Sequence, residues 1–193
     1  MSKAKKANKK AFRNNKKKRK VEEPKGLQLE CLYRFGQFGS LSKHNMQQLY
    51  ESEGEKILKE LIDLNYIKKR DKQVSINKSK QNAYGLTSKG QRFLKNKGRN
   101  LYYSNSSRHD VIHATNVISQ FKDHLNYYKH EKELSSWTYG TSRVDGAIIL
   151  NDKAIYLETI TKHYKKPKIQ AKRDYMDLIK ATNSNCEYIE FKE

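Results

Sequence analysis

The chain has 193 residues, only two Pro, many Lys and Tyr, and a formal net charge of +20. That length suits one domain or two small ones. No window approaches the roughly 18 uninterrupted apolar residues of a membrane span, and the charged N-terminus has no apolar core for a secretory signal, so a soluble, cytoplasmic protein is expected. Cys31 and Cys186 are far apart and show no paired spacing, which argues against a zinc ribbon and for two reduced thiols.

The charge is unevenly placed. Residues 1–20 hold eleven Lys or Arg and no acid, and the remaining residues still carry thirty basic against twenty-one acidic side chains. Such a surplus favours polyanions, because each neutralised phosphate releases condensed counterions; an acidic membrane surface fits less well without an amphipathic anchor. Nucleic acid is the expected partner. Residues 1–26 have almost no apolar content and end at Pro24 and Gly26, the composition of a disordered basic arm. Lys16, Lys17, Lys18 and Arg19 are its densest cluster. Two readings stay open, a DNA-clinging tail and a solubilising one.

From Leu27 helical periodicity begins. Leu27, Leu29, Leu32, Phe35 and Phe38 predict one helix, closed by Gly36 and Gly39. A second, capped by Ser40 or Ser42, carries Met46, Leu49 and Tyr50; a third carries Ile57, Leu58, Leu61, Ile62 and Leu64. Val74 and Ile76 then alternate with polar residues, a Lys-rich loop follows, and Tyr84 and Leu86 start the return strand. With YGLTSKGQRFL at its end, where Thr87 caps a further helix, residues 27–97 resemble bacterial winged helix-turn-helix domains. The third helix has Glu53 and Glu55 near its start, where base-reading residues usually sit, with Lys56 and Lys59 behind them. Lys68, Lys69, Arg70, Lys72, Lys78 and Lys80 give the wing a positive surface suited to phosphate. A winged helix used for protein docking or dimerisation is the alternative.

Residues 98–107, rich in Asn and Ser, read as a linker, and residues 108–193 as a second domain. Val111, Ala114, Ile118, Phe121, Leu125 and Tyr128 recur at intervals of three and four and predict one long packing helix from about Arg108. His109 and His113, four apart in HDVIH, are either metal ligands or hydrogen-bonding histidines; no third ligand is evident. SSWTYG, with Trp137 and Tyr139, predicts a strand. RVDGAIILNDKAIYLETITK then predicts a hairpin turning at Asn151-Asp152, in which Leu150 faces Lys153 and Asp145 falls opposite Glu158. Cross-strand partners lie roughly 5 Å apart, so two carboxylates there need a cation, a shared proton or another register. A helix from about Lys168 carries Ile169, Tyr175, Met176 and Ile179 on one side, and CEYIEF adds a last strand. The α/β order suits a mixed sheet flanked by helices. No phosphate-binding Gly-rich loop, no Gly-x-Ser-x-Gly elbow and no His-hydrophobic-His relaxase motif occurs.

The succession of winged helix, HDVIH helix, Trp strand, RVDG strand, YLE strand and KxxxKxxYxxL helix resembles the replication-relaxation family over residues 27–180. The resemblance implies an α+β protein: an N-terminal winged helix-turn-helix followed by a small mixed α/β domain of the restriction-endonuclease-like, PD-(D/E)XK kind. It implies a DNA-binding protein of a plasmid, phage or integrative element, acting in replication, mobilisation or processing, with a protein partner in a replication or transfer complex. In that fold Asp145 and Glu158 would hold Mg2+ or Mn2+ for a metal-dependent endonuclease or relaxase. The chain departs from the motif, since Glu158-Thr159-Ile160 stands where Glu-x-Lys is usual. Lys162, or a lysine of the following helix such as Lys168 or Lys172, is the substitute. Three roles follow: DNA binding alone, metal-dependent cleavage with Asp145, Glu158 and Lys162, or a regulator or inhibitor that binds protein.

Overall fold

The computed structural model describes residues 22–76, 79–103, 106–134 and 144–193. Within them the chain is an α+β protein with two sheets. Residues 1–21 of the basic arm, Lys78, Trp137, Tyr139 and Arg143 lie outside the described residues.

The first unit begins with α1 (Leu27–Phe38), a short strand β1 (Ser40–Ser42) and α2 (Lys43–Tyr50). Ser42 caps α2: its Oγ accepts from the Asn45 amide while the Asn45 side chain accepts from the Ser42 amide, which satisfies two helix-end donors reciprocally. A 3-10 turn leads to α3 (Gly54–Asp63), whose buried face is Ile57, Leu58 and Leu61; Ile62, expected on that face, is exposed. α2 and α3 meet so closely that a Cβ on Gly54 would lie 2.5 Å from the Met46 carbonyl oxygen. A long hairpin follows, β2 (Ile67–Ile76) and β3 (Ser79–Leu86), with β3 paired on its other side to β1. α4 (Ser88–Asn96) starts where Thr87 Oγ1 accepts from the Gly90 amide, as the sequence predicts.

Two expectations change here. Gly36 does not close α1 but sits within it, where its lack of a side chain makes room for Leu101 and Leu94, which an added Cβ would approach to 3.1 and 3.2 Å. The stripe running to Tyr128 is not one helix: α5 (Ser107–Phe121) ends at Phe121, Leu125 lies in a 3-10 turn and Tyr128 opens strand β4 (Tyr128–His130). Leu125 and Tyr128 are buried and Phe121 is partly buried, so apolar spacing alone does not reveal the change of conformation.

The second sheet has the order β4-β5-β6-β7, with β5 (Gly146–Ile149), β6 (Ala154–Ile160) and β7 (Cys186–Lys192). β4/β5 and β5/β6 are antiparallel and β6/β7 is parallel, the crossover being α7 (Lys166–Thr182). A one-turn helix, α6 (Glu131–Leu134), follows β4.

The two units share packing across the 98–107 joint. Leu101 of the joint is buried and the Tyr102 amide donates to the Gly36 carbonyl at 2.8 Å. One apolar cluster runs from Phe35, Phe38 and Met46 through Ala114, Val117 and Ile118 to Ile148 and Leu157. Phe38 stacks on Tyr128 with ring centroids 4.8 Å apart, and Arg34 donates to the Leu125 carbonyl and to Asn126, both at 2.9 Å. Helix α5 is therefore clamped between the first unit and the second sheet, with Val111 packed against Val74 and Ala83 of the hairpin. That fixes where its N-terminal histidines point.

Candidate active site

The β5/β6 hairpin has the register that its sequence predicts. Gly146 pairs with Leu157, Ile149 with Ala154, and the Leu150 amide donates to the Lys153 carbonyl at 2.8 Å. One step further toward the open end, Asp145 and Glu158 lace the strands together. The Asp145 amide donates to Glu158 Oε2 at 3.2 Å, and the Thr159 amide donates to Asp145 Oδ2 at 2.8 Å. Each carboxylate thus accepts an amide from the other's strand, which offsets part of its desolvation.

The chain supplies its own cations to this pair. Lys172, from α7, places Nζ 2.7 Å from Glu158 Oε2, with side-chain exposures of 7% and 0%. His109, from the first turn of α5, places Nε2 3.1 Å from Asp145 Oδ2. The same Nε2 lies 3.2 Å from the Tyr164 hydroxyl. His113, one turn on, sits 2.8 Å through Nδ1 from Thr159 Oγ1 and 3.1 Å through Nε2 from the Tyr128 hydroxyl. Burial pushes His113 down to about 4, so it is neutral at pH 7. A proton on Nδ1, donated to Thr159, with the Tyr128 hydroxyl donating to Nε2, satisfies both contacts.

The titrating groups are driven apart. Burial raises Glu158 above the usual carboxylate range, the nearby Asp145 raises it further, and Lys172 pulls it partly back. Burial also disfavours the Asp145 charge, but the His109 hydrogen bond, with His113, His109 and Lys172 nearby, holds it below its ordinary value. For His109 burial opposes the charged form, and the hydrogen bond and charge of Asp145 outweigh it and raise the imidazole. Two neighbouring acids whose environments separate them in this way can take different protonation states at one pH.

Above Asp145 opens a cleft of about 780 Å³. Its lining includes Asp145, His109, Lys172 and buried Thr161, with exposed Lys165, Lys168 and His163 toward solvent and Tyr102 and Tyr164 contributing rings. Lys168 lies over the Tyr164 ring, 3.7 Å from its centroid.

Among the residues singled out from sequence, Asp145 and Glu158 are brought together and Lys162 is not. The Lys162 side chain is 67% exposed and its nearest acid is Glu193, 3.9 Å away, because the turn after β6 carries it outward. Lys172 takes the position beside Glu158. Its signal lay in the spacing: Ile169, Lys172, Met176 and Ile179 fall on one helix face, so a lysine stands within an apolar stripe. Nothing in the sequence marked Tyr164. His109 and His113 both approach Asp145 Oδ2, at 3.1 and 3.9 Å, while the closer contacts of His113 are to Thr159 and Tyr128. Among the described residues no group of three or more His, Cys, Asp and Glu is arranged to hold a metal.

The surface lysines divide. Lys56 of α3 is 3.4 Å from Glu53 of the preceding turn, and Glu55 of α3 is 3.1 Å from Lys43 of α2. Lys59, Lys69, Lys72 and Lys80 are exposed. Arg70 is withdrawn from the wing surface. Its guanidinium lies against Gly85, where an added Cβ would be 2.4 Å from Nε, and that Nε is buried.

Comparison of the chain with protein-family models, with curated proteins and with solved structures finds no match in any of the three.

Proposed function

We propose that this chain binds DNA and acts on its phosphodiester backbone through Asp145, Glu158 and Lys172, the reading implied by the PD-(D/E)XK resemblance. The observation that carries it is the 2.7 Å contact of Lys172 with Glu158. The sequence has no lysine two residues after Glu158; the fold supports one there, delivered from α7. The placement of the two carboxylates on adjoining strands, and three helices followed by a long basic hairpin ahead of them, support the same reading.

Asp145 and Glu158 would hold a divalent ion. Glu158 Oε1 is buried without a hydrogen-bond partner among the described residues, an uncommitted oxygen beside a second carboxylate. Mg2+ is commonly bound by one or two carboxylates, its other ligands being water and substrate phosphate, so this donor set fits it. Such an ion supplies charge neutralisation at the phosphate and a more acidic bound water. The chain's residues do the rest. Lys172 brings a fixed ammonium to the reacting phosphate, where preorganised charge is most effective. His109, protonated more readily than a free imidazole and open to the cleft, is placed to give a proton to the leaving oxygen as the P–O bond breaks. Lys165 and Lys168 at the mouth, with the exposed wing lysines, attract the backbone.

The setting implied by the replication-relaxation resemblance is replication, mobilisation or processing of a plasmid, phage or integrative element. One observation favours a second role for the first unit: Glu53 and Glu55, at the start of α3, pair with Lys56 and Lys43, and such an acidic start suits docking on protein better than reading bases.

The test is incubation of the full chain, in Mg2+ or Mn2+, with a negatively supercoiled plasmid, whose torsional stress opens unpaired stretches, and with circular single-stranded DNA. Cleavage is expected, and Asp145→Asn and Lys172→Met each should lower its rate about 100-fold or more. No cleavage of either, or cleavage unchanged in Asp145→Asn, overturns the catalytic reading. Absence of DNA binding even at low salt overturns the binding one. Pull-down after nuclease treatment tests the docking role.

A further inference from the structure

We propose that the cleft above Asp145 admits one unpaired nucleic-acid strand, a tail or a terminus, and excludes intact duplex. This names the substrate class of the site and rests on the reading of Asp145 and Glu158 as a phosphodiester site. Three features carry it.

The acids are deep. The Asp145 side chain is 13% exposed and that of Glu158 is 0% exposed. In a duplex the phosphates lie on the outside of a wide, stiff cylinder and reach shallow sites most easily, whereas a flexible single strand can fold its backbone down toward a recessed pair. Enzymes that must bring a nucleotide into a pocket take single strands or pay to unpair them.

The space is that of a small molecule. At about 780 Å³ the cleft falls within the roughly 300–1,000 Å³ of pockets that enclose a single ligand. A splayed nucleotide or two fits that space, and a double helix does not.

The lining has the chemistry of single-strand recognition, cations for the backbone with aromatic rings for unpaired bases. Lys165 and Lys168 are exposed at the mouth, and half-buried Tyr102 and Tyr164 line the cleft beside the acids Asp110 and Glu131; the Tyr164 ring is already covered by Lys168 and stacked with His109, centroids 6.1 Å apart, which leaves Tyr102 as the ring for a base. Lys168 is already held over the Tyr164 ring, which fixes its ammonium at the entrance instead of leaving it to wander in solvent. The surface lysines and the basic arm attract any DNA; only the cleft distinguishes strands.

The experiment uses the full chain, without divalent ions, and a hairpin DNA with a single-stranded tail. A photoreactive 5-iododeoxyuridine is placed either in the tail or within the paired stem, and the cross-linked peptides are mapped by mass spectrometry. The tail probe is expected to join Tyr102 or Tyr164, and the stem probe neither. Attachment of the stem probe to either tyrosine, or of the tail probe only to residues outside the cleft, overturns the proposal. In parallel, Lys165→Ala/Lys168→Ala should weaken binding of the tailed hairpin about tenfold more than binding of a blunt duplex; equal loss on both also overturns it. Absence of cleavage of both the plasmid and the single-stranded circle would instead remove the catalytic reading and leave the cross-link pattern as it stands, so the two failures are separable.

Discussion

The two halves of the molecule treat charge in opposite ways. In the first unit the interior is mainly Leu, Phe, Ile and Met, with one buried cation, Arg34, at the seam with the second unit, and ion pairs such as Lys43 with Glu55 lie at the surface with both side chains about half exposed. In the second, Glu158, Lys172, Asp145 and His109 are gathered at the open end of a hairpin, where water is largely excluded. The difference teaches that a count of charges says little about where charge matters. An exposed pair contributes little, because solvent screens it and both side chains lose freedom. A buried pair that loses one partner leaves a charge in a poor solvent.

The largest expected effect that would break this contrast is at Glu158. Glu158→Ala strips Lys172 of its carboxylate and should lower stability by about 3–5 kcal/mol in urea denaturation. Lys172→Met should cost less, because burial already drives Glu158 toward its neutral form; equal losses would contradict that asymmetry.

In the first unit geometry, not charge, should dominate. A Cβ on Gly90 would lie 2.2 Å from the Tyr66 carbonyl oxygen, so Gly90→Ala should cost about 1–3 kcal/mol through overpacking. A neutral result would mean that α4 can shift away from β2.

A smaller and pH-dependent effect is expected at His109. Its pKa is raised in the fold, so the stability it contributes is fully present below its unfolded value near 6.5 and is lost as pH rises through the folded value. His109→Gln should therefore destabilise more at pH 6 than at pH 9. A difference that grows with pH would show that Asp145 is not the partner that matters.

The smallest effect belongs to the surface. Glu55→Gln breaks its contact with Lys43 and should change the denaturation midpoint by no more than about 0.5 kcal/mol equivalent. A loss comparable to that of Glu158→Ala would erase the contrast between the units.

Much of the architecture was legible. The Ser42 and Thr87 caps, the hairpin register that sets Asp145 against Glu158, and the terminal strand all follow from local rules: short side chains that satisfy helix-end amides, a two-residue turn, and period-two alternation. Less visible was the end of α5, since an apolar residue at a given spacing is equally at home in a helix, a 3-10 turn or a strand once all are buried. Gly36 is ambiguous in the sequence for a related reason. A glycine that stops a helix and one that admits Leu94 and Leu101 look the same until the neighbours are known.

The sequence by itself determined that two carboxylates would face each other and that a cation, a shared proton or a different register had to resolve them. Only the tertiary structure decided which. Lys162 is near in sequence but is turned outward, whereas Lys172 and His109 come from two helices that pack on opposite stretches of chain. Their convergence depends on α5 being clamped between the units and on α7 crossing over to lay β7 parallel to β6. Contacts of that range carry no local signature, because they are set by how whole elements bury their apolar faces and not by any residue's neighbours in the chain.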